Sequence, residues 1–428
     1  MRRPPRRRAS LPSATARTVS ALAVLGVLVA GLAGCGSDDP REGCGWMETQ
    51  TSTPDADSTV ILVDGSKSVR GAASGTRGLD YGRVVGDLLD KKDEKGEVIS
   101  IGTFGGPAGQ VEWTVERRPA DWKRSNPNPD NQEQNRQDAN RCLKDDITEA
   151  QQKAPADGGT DVLAALAAGA DMFEGVQGVR RLLVLSDGLA TTGCADLRSA
   201  RFGSPQELDS IVSVCAAPGK FGELPDLRGA EVTFVGLGRS AGGQPAANSA
   251  QRAWLGELWK ALCERAGAAR GSCTSSNTPV GKEKESDRAT TGSVPDDPVV
   301  PYGDGTSRTY ALSGEALFDS NSAQVLPAAV PMLTTLAATA RTTPSLERVL
   351  VDGYVDPRGG SGNNQSLSQA RADAVAKVLV DHGVPESRVE SHGRGLSPGC
   401  PTAAATESMS REQRLQCDRR VNVEIIGK

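Results

Sequence analysis

Five oxygen-bearing side chains in the first half of the sequence stand beside apolar runs, where a fold can gather them at one edge of a sheet. They are Asp64, Ser66, Ser68, Thr160 and Asp187. The first three occupy alternate positions, and alternate residues of an extended segment face the same side. One carboxylate and two hydroxyls are therefore expected to converge after the first apolar run. A ligand set made only of oxygen suits a hard cation: Mg²⁺, Mn²⁺ or Ca²⁺.

Strands that alternate with helices are needed to position these side chains. The apolar, β-branched run 59–63 is typical of a buried parallel strand, and residues 181–185 have the same character. A helical pattern, residues 162–173, lies between them. From this alternation we predict an α/β fold with a doubly wound, mainly parallel sheet over residues 58–268. In such sheets ligands bind beyond the carboxyl ends of the strands, where the polar residues stand.

The order of these motifs resembles that of the von Willebrand factor type A family and its metal-ion-dependent adhesion site. The D-x-S-x-S motif, the later threonine and the distal aspartate of that family stand here as Asp64, Ser66, Ser68, Thr160 and Asp187. The resemblance implies a bound Mg²⁺, or Mn²⁺ or Ca²⁺, with one position left for an Asp or Glu of an envelope protein. A polar insertion at residues 119–141 departs from the family and is expected to alter partner specificity without removing the ligands.

A second, smaller α/β region is predicted for residues 309–428. Strand patterns begin at residue 310 and cover 346–351, 389–392 and 420–426, and helical patterns cover 323–341 and 364–382. We expect these elements to form an α/β sandwich with a layer of two helices. The region carries three motifs: Gly353-x-x-Asp356, N-x-x-L-S-x-x-R-A from Asn364 to Ala372, and Arg419-Arg420-Val421.

These motifs closely resemble those of the OmpA-like peptidoglycan-binding domain, including the fifteen-residue separation of Asp356 and Arg371. The resemblance implies that the two side chains hold diaminopimelate in the peptide stem. Asp356 would accept hydrogen bonds from its ammonium group, and Arg371 would donate a bidentate fork to its carboxylate. Asn364 would order the loop or touch the stem. The alternative is a purely structural Asp356–Arg371 salt bridge, and Tyr354 and Asp418 depart from the residues usual in the family.

The first 34 residues have the features of an export signal. Five arginines among the first eight residues precede an apolar stretch, residues 19–33, that is short for a transmembrane helix. The stretch leads into Leu-Ala-Gly-Cys35, which resembles the lipobox of bacterial lipoproteins and implies acylation of Cys35. We predict a signal peptide at 1–34, a tether at 35–57 and anchoring on the extracytoplasmic face of the cell membrane. Plain secretion, with Cys35 in a disulfide, is the alternative.

The other eight cysteines form an even number, which suits disulfide bonds in an exported chain. Proximity in the sequence suggests three pairs and leaves a fourth, although it does not settle the connectivity: Cys400–Cys417, Cys263–Cys273, Cys194–Cys215 and Cys44–Cys142. Without residues 1–34, which hold six of the 49 basic residues and none of the 54 acidic ones, the net charge is −11. This charge argues against nucleic acid as a partner, because its binders carry clustered positive charge.

Together these features predict an envelope lipoprotein that binds peptidoglycan through residues 309–428 and presents a metal-dependent domain to an envelope protein. A charged, Pro-containing stretch, residues 269–308, is expected to link the two regions. One alternative is a mechanical staple between membrane and wall without a metal-dependent partner. An envelope enzyme is disfavoured, because the chain has only two histidines and no evident acid–base pair of carboxylates.

Overall fold

The computed structural model describes residues 44–48, 51–53, 55–70, 78–89, 97–106, 110–120, 122, 127–217, 224–241, 243–282, 294–302, 307–358, 360–399 and 411–428. The predicted signal peptide and Cys35 lie outside these residues. Among the helices of the described ranges, none has both the length and the apolar character of a membrane span. We call residues 44–282 the large subdomain and residues 307–428 the small subdomain.

The large subdomain is built on a six-stranded, mostly parallel sheet. The strands of the large subdomain, including two outside this sheet, are β1 Asp57–Asp64, β2 Leu79–Asp80, β3 Glu97–Gly105, β4 Gln110–Pro119, β5 Arg180–Leu185, β6 Ala230–Val235, β7 Cys273–Ser276 and β8 Gly281–Lys282. Its helices are α1 Gly45–Glu48, α2 Lys67–Arg70, α3 Tyr81–Leu89, α4 Pro129–Gln152, α5 Val162–Asp171, α6 Pro205–Cys215 and α7 Ser249–Arg265. The strand order is β4-β3-β1-β5-β6-β7, and β2 pairs separately with β8. Only β4 runs antiparallel to its neighbour in the six-stranded sheet.

Helices pack against both faces of this sheet because the central strand β1 is apolar on both sides. Val60 and Leu62 enter one core with residues of α5, α6 and α7. Ile61 and Val63 enter a second core with residues of α3 and α4. Successive residues of a strand point to opposite faces, so both cores require the continuous apolar run that the sequence shows. The predicted α/β character with parallel strands is confirmed.

Parts of the predicted tether and linker belong to the large subdomain. In the tether, the Cys44–Cys142 disulfide and the fully buried Met47 fasten α1 to the core. In the linker, β7 pairs with β6 and so extends the sheet beyond residue 268. Much of the predicted insertion at 119–141 is the largely exposed first half of α4. The sequence did not predict these elements, because one buried methionine and one four-residue strand are too short to give a periodic apolar pattern.

Two further predicted disulfides are confirmed, and one stays a prediction. Cys194 pairs with Cys215, and Cys263 pairs with Cys273. The pairing of Cys400 with Cys417 is untested because Cys400 lies outside the described residues.

The small subdomain combines a four-stranded sheet with helices. Its strands are β9 Ser307–Ser313, β10 Arg348–Val355, β11 Val389–Leu396 and β12 Arg420–Ile426, and its helices are α8 Gly314–Leu317, α9 Val330–Thr342, α10 Ser361–Asp381 and α11 Arg411–Asp418. The strand order is β11-β10-β12-β9, with only β10 and β11 parallel. The helix predicted from residue 323 begins at Val330, because Pro327 opens a 3₁₀ turn and Pro331 fits only a first helical turn.

A buried ionic contact joins the two subdomains. Glu207 of α6 is fully buried and pairs with Arg308 of β9 at 2.7 Å and with Arg201 at 3.4 Å. The hydroxyl of Tyr310 donates a hydrogen bond to Glu207 at 3.1 Å. Arg201 also donates to the hydroxyl of Thr343, just after α9, at 2.9 Å. The start of the small subdomain is therefore fixed to α6 by charge as well as by apolar packing.

Candidate functional site

The predicted metal-binding residues meet at the carboxyl edge of the six-stranded sheet. Asp64 ends β1, and Asp187 follows the neighbouring strand β5. The loop before α5 reaches the same edge, where Thr160 forms an isolated bridge with Gly106. The backbone N–H of Thr191 donates to the carbonyl of Thr160 at 3.0 Å. Three loops that are distant in the sequence thus converge, as the motif order indicated.

Two serines hold the buried carboxylates in place. Ser186 donates to Asp64 at 2.6 Å, and Ser240 donates to Asp187 at 2.7 Å. Burial raises the pKa of Asp64 to about 7, with a further rise from the charge of Asp187. Burial also raises the pKa of Asp187. Hydrogen bonds, from Ser186 to Asp64 and from Ser240 to Asp187, act in the opposite direction. Sequence reasoning missed both serines, and only the position of Ser186 beside Asp187 offered a signal.

Buried hydroxyls surround the two acids. Ser66 and Ser68 are buried, and their hydroxyl oxygens lie 3.0 Å apart. The hydroxyls of Thr160 and Tyr81 are buried without a hydrogen-bond partner of ordinary geometry in the described part of the chain. Burial and the charges of Asp187 and Asp64 raise the pKa of Tyr81. Since buried polar groups are almost always satisfied, these two hydroxyls lack a hydrogen-bond partner that a bound ligand could supply.

The donor set fits a divalent cation. Two buried acids need a counter-charge, and the neighbouring hydroxyl oxygens of Ser66, Ser68 and Thr160 complete an oxygen-only set of the kind that Mg²⁺ accepts. The described residues contain no group of three or more His, Cys, Asp or Glu side chains arranged to hold a metal. Any cation here would therefore depend on hydroxyl ligands, and its presence stays a prediction.

A third carboxylate, which the sequence did not predict, lies at the same edge. The hydroxyl of Thr191 donates to Asp297 at 3.5 Å, and the amide of Gly159 and the hydroxyl of Thr160 are also neighbours of this carboxylate. Burial raises the pKa of Asp297 to about 7, and the charge of Asp187 adds to the rise. Asp297 belongs to an Asp-Asp-Pro stretch whose composition indicated only a linker, so no sequence signal marked it.

In the small subdomain, Asp356 follows β10 and accepts hydrogen bonds from two arginines. Its Oδ2 accepts from Arg358 at 2.7 and 2.9 Å and from Arg419 at 2.6 Å. Among the described residues, Oδ1 accepts only the backbone N–H of Arg358, at 3.1 Å. Burial raises the pKa of Asp356, but the hydrogen bonds from Arg358 and Arg419 outweigh it and hold the pKa at about 2. Asp356 is therefore ionised at neutral pH, and its Oδ1 can accept a further hydrogen bond. Sequence reasoning had not assigned either arginine to this carboxylate.

Arg371 of α10 lies near Asp356 without forming an ion pair with it in the described chain. Its Nε donates to the carbonyl of Ser322 at 2.9 Å, and its guanidinium lies 5.1 Å from the ring centroid of Phe318. Burial and the charge of Arg419 lower the pKa of Arg371, against the opposing effect of Asp356. The alternative of a structural salt bridge between Asp356 and Arg371 is therefore not supported by the described residues. The Nη groups of Arg371 remain for an outside acceptor.

The remaining motif residues determine how closely β10 packs against α10. A Cβ on Gly353 would collide with the backbone oxygen of Ser368 in α10, so glycine lets β10 and α10 pack closely. The hydroxyl of Ser368 accepts from the N–H of Gly395 at 2.9 Å. Asn364 is buried in the first turn of α10, and its N–H donates to the carbonyl of Gly360 at 2.9 Å. These contacts bring Asp356 and Arg371 to the same end of the subdomain.

The strand, loop and helix that carry Asp356 and Arg371 fall within a recognised family match. Residues 317–413 match the OmpA family. The small subdomain is OmpA-like. The predicted resemblance of residues 309–428 is confirmed over this range.

Curated relatives align with the same part of the chain. The probable lipoprotein YiaD of Escherichia coli K12 is 37% identical over 112 residues, which are 26% of this chain and 48% of YiaD. Outer membrane protein A of Klebsiella aerogenes is 30% identical over 126 residues, which are 28% of this chain and 36% of that protein. This chain therefore spans less than half of the length of either relative.

Solved structures align over a similar share. The cell wall anchor of the T6SS from Pseudomonas aeruginosa is 29% identical, and the alignment covers 29% of this chain and 84% of that chain with a TM-score of 0.25. The peptidoglycan-associated lipoprotein from Burkholderia pseudomallei is 24% identical, and the alignment covers 27% of this chain and 88% of that chain with a TM-score of 0.22.

Proposed function

We propose that this protein is a cell-envelope lipoprotein that binds peptidoglycan non-covalently through its small subdomain. The observation that carries the proposal is the placement, within an OmpA-like domain, of an ionised carboxylate and a buried arginine that do not pair with each other. Oδ1 of Asp356 and the Nη groups of Arg371 can thus act on two different groups of one ligand. Similarity to YiaD, a probable lipoprotein, agrees with the predicted lipid anchor.

The ligand we propose is diaminopimelate in the peptide stem, whose free end carries an ammonium and a carboxylate. Oδ1 of Asp356 has room to accept from the ammonium. The Nη groups of Arg371 can donate a bidentate fork to the carboxylate. Arg358 and Arg419, which pair with Asp356 and, for Arg419, also with Glu315, add positive charge beside the site and so favour a ligand with a carboxylate. Lysine-type stems lack that carboxylate and should bind more weakly.

For the large subdomain we propose a von Willebrand factor type A-like fold that binds a divalent cation. Support comes from the strand order, with β1 between β3 and β5 and a single antiparallel edge strand, and from the loops that meet at its carboxyl edge. Mg²⁺, or Mn²⁺ or Ca²⁺, would be held by Asp64, Ser66, Ser68, Thr160 and Asp187. The cation would supply positive charge that attracts an acidic side chain of an envelope protein. We propose binding and not catalysis, in keeping with the outer membrane protein and the lipoprotein among the relatives.

The membrane anchor belongs to the same proposal. Acylation of Cys35 would hold the chain on the extracytoplasmic face of the cell membrane, and two acyl chains give stable attachment where one is marginal. The small subdomain would then hold the wall. The mechanical staple is the second candidate, and the buried contact of Glu207 with Arg308 favours it because the contact links the two subdomains rigidly.

The test is sedimentation of the full chain, purified in detergent, with sacculi of the diaminopimelate and lysine types. We expect the wild type to pellet with the diaminopimelate wall. Asp356→Asn and Arg371→Leu should each bind about tenfold to a hundredfold more weakly, because a hydrogen bond to a charged group is worth about 1.5–3 kcal/mol. Arg394→Leu is the matched control, since Arg394 pairs with Asp352 on the sheet.

Circular dichroism verifies that each variant is folded. Equal pelleting with both walls would contradict the proposed recognition of the diaminopimelate carboxylate. If the wild type stayed in the supernatant with both walls, the proposal that the protein binds peptidoglycan would be wrong.

A further inference from the structure

Residues 294–302, which we call the strap, lie across the predicted metal loops instead of forming a free linker. Lys67, between the two serines of the first loop, forms an ion pair with Asp296 of the strap. On the second loop, a Cβ on Gly158 would collide with the backbone oxygen of Asp296. The strap therefore touches two of the three loops that hold the proposed cation ligands.

Contacts further along hold the strap in place. Gln244 donates to the carbonyl of Val300 at 2.7 Å and accepts from its N–H at 2.9 Å. Val300 is fully buried in the core of the large subdomain. The ring of Tyr302 packs edge-on against Phe202, with centroids 4.8 Å apart. Prolines at every third position, Pro295, Pro298 and Pro301, restrict the backbone and lower the entropy that this placement costs.

These contacts place Asp297 at the site itself. Its carboxylate lies 3.5 Å from the hydroxyl oxygen of Thr191, which in turn accepts from the N–H of Thr160 at 2.9 Å. The buried hydroxyl of Thr160 lacks a hydrogen-bond partner of ordinary geometry in the described residues and faces the same carboxylate. An acid from the same chain thus stands beside the predicted ligands. This is where the acid of a binding partner was expected.

We propose that Asp297, which lies beside Thr160 and Thr191, joins the ligands from within the chain when a cation binds, so that the strap occupies the position that a partner's acidic side chain would take. Among the described residues the acids do not yet form a group of three around one point, so the strap must move closer when the cation binds. The inference rests on the cation site of the proposed function and adds a ligand to it. Any external acidic partner must then displace the strap before it reaches the cation. Binding of such a partner is expected to be coupled to release of residues 294–302.

The experiment measures Mn²⁺ binding to the full chain in detergent by titration calorimetry, together with hydrogen exchange of peptides that span the strap. In the wild type, Mn²⁺ should bind and slow exchange in the strap. In Asp297→Asn, the dissociation constant should rise about tenfold or more, the size of effect seen when groups around a metal are lost. Mn²⁺ should then no longer slow exchange in the strap. The matched control is Asp171→Asn, which alters an exposed acid at the far end of α5 and should leave Mn²⁺ affinity within about twofold, below the effect of losing a metal-site group.

Gly158→Ala provides a second variant that keeps every carboxylate. Its added methyl group should lift the strap and weaken Mn²⁺ binding as Asp297→Asn does. If Asp297→Asn binds Mn²⁺ as well as the wild type does, and if Mn²⁺ does not change hydrogen exchange in the strap of the wild type, Asp297 is not a ligand. The cation site itself would then still be supported. If the wild type binds no Mn²⁺, the cation site of the proposed function is wrong and the role of Asp297 falls with it.

Discussion

Replacement of Glu207 by alanine should uncouple the two subdomains. The carboxylate of Glu207 is fully buried and pairs with Arg308 across the interface and with Arg201 in its own subdomain. Without it, two guanidinium groups whose side chains are only 5% and 11% exposed would lose their counter-charge. Removing one partner of a buried ion pair typically costs about 3–5 kcal/mol. We expect a loss of that size in the free energy of unfolding.

The tryptophans make this uncoupling measurable. All five lie between residues 46 and 259, so their fluorescence reports on the large subdomain alone, whereas circular dichroism reports on both. In guanidinium chloride the wild type should lose both signals in one transition, as coupled folding requires. In Glu207→Ala, the dichroism curve should split into two steps, and fluorescence should follow only one of them.

The control is Lys377→Ala, which removes an exposed pair with Asp381. The two side chains are 73% and 52% exposed, so the change should be about 0.5 kcal/mol or less. A loss of less than about 1 kcal/mol in Glu207→Ala, as for an exposed pair, together with two superimposed transition curves, would contradict an ionic link between the subdomains. The interface would then be held by apolar packing, and charge would contribute little to the link between the subdomains.

Two other outcomes follow from the structure. The folded pKa of Asp356 is lowered from 3.8 to about 2, so its stabilising contribution is complete above pH 3.8 and is lost as the pH falls toward about 2. Acid unfolding monitored by circular dichroism should begin at a higher pH in Asp356→Asn, and an unchanged acid limb would contradict the arginine contacts. Paired Cys→Ser replacement at Cys44 and Cys142, which close a loop of 98 residues, should cost about 4–5 kcal/mol in the free energy of unfolding. The same replacement at Cys263 and Cys273, ten residues apart, should cost about 2–3 kcal/mol, and the reverse order in denaturant titrations would contradict the chain-entropy reasoning.

The sequence predicted best where local pattern and position in the fold are tied together. The apolar run before Asp64 had to be a strand buried on both faces, and strand β1 is buried at every residue. A helix start after Thr160 followed from the apolar pattern, and Asp161 caps that helix by accepting from the N–H of Ala164 at 3.0 Å. The motif spacing in the small subdomain likewise predicted that Asp356 and Arg371 lie near each other. Periodicity and motif spacing are local properties, so one sequence is enough to detect them.

The sequence could not predict which groups neutralise or complete these sites. Arg358 and Arg419 take up one oxygen of Asp356, although Arg419 is 63 residues away from it. Asp297 reaches the metal loops from a stretch whose prolines and charges suggested a linker. Met47 anchors part of the predicted tether in the core.

The sequence by itself therefore determined the strands and helices that have a clear apolar pattern or motif, and which side chains stand at their ends. Only the tertiary structure decided which buried charges pair, and with which partner. The physical reason is that the energy of a buried charge depends on its distance to other charges and on its distance from water. Folding sets both distances, and residues far apart in the chain contribute to them.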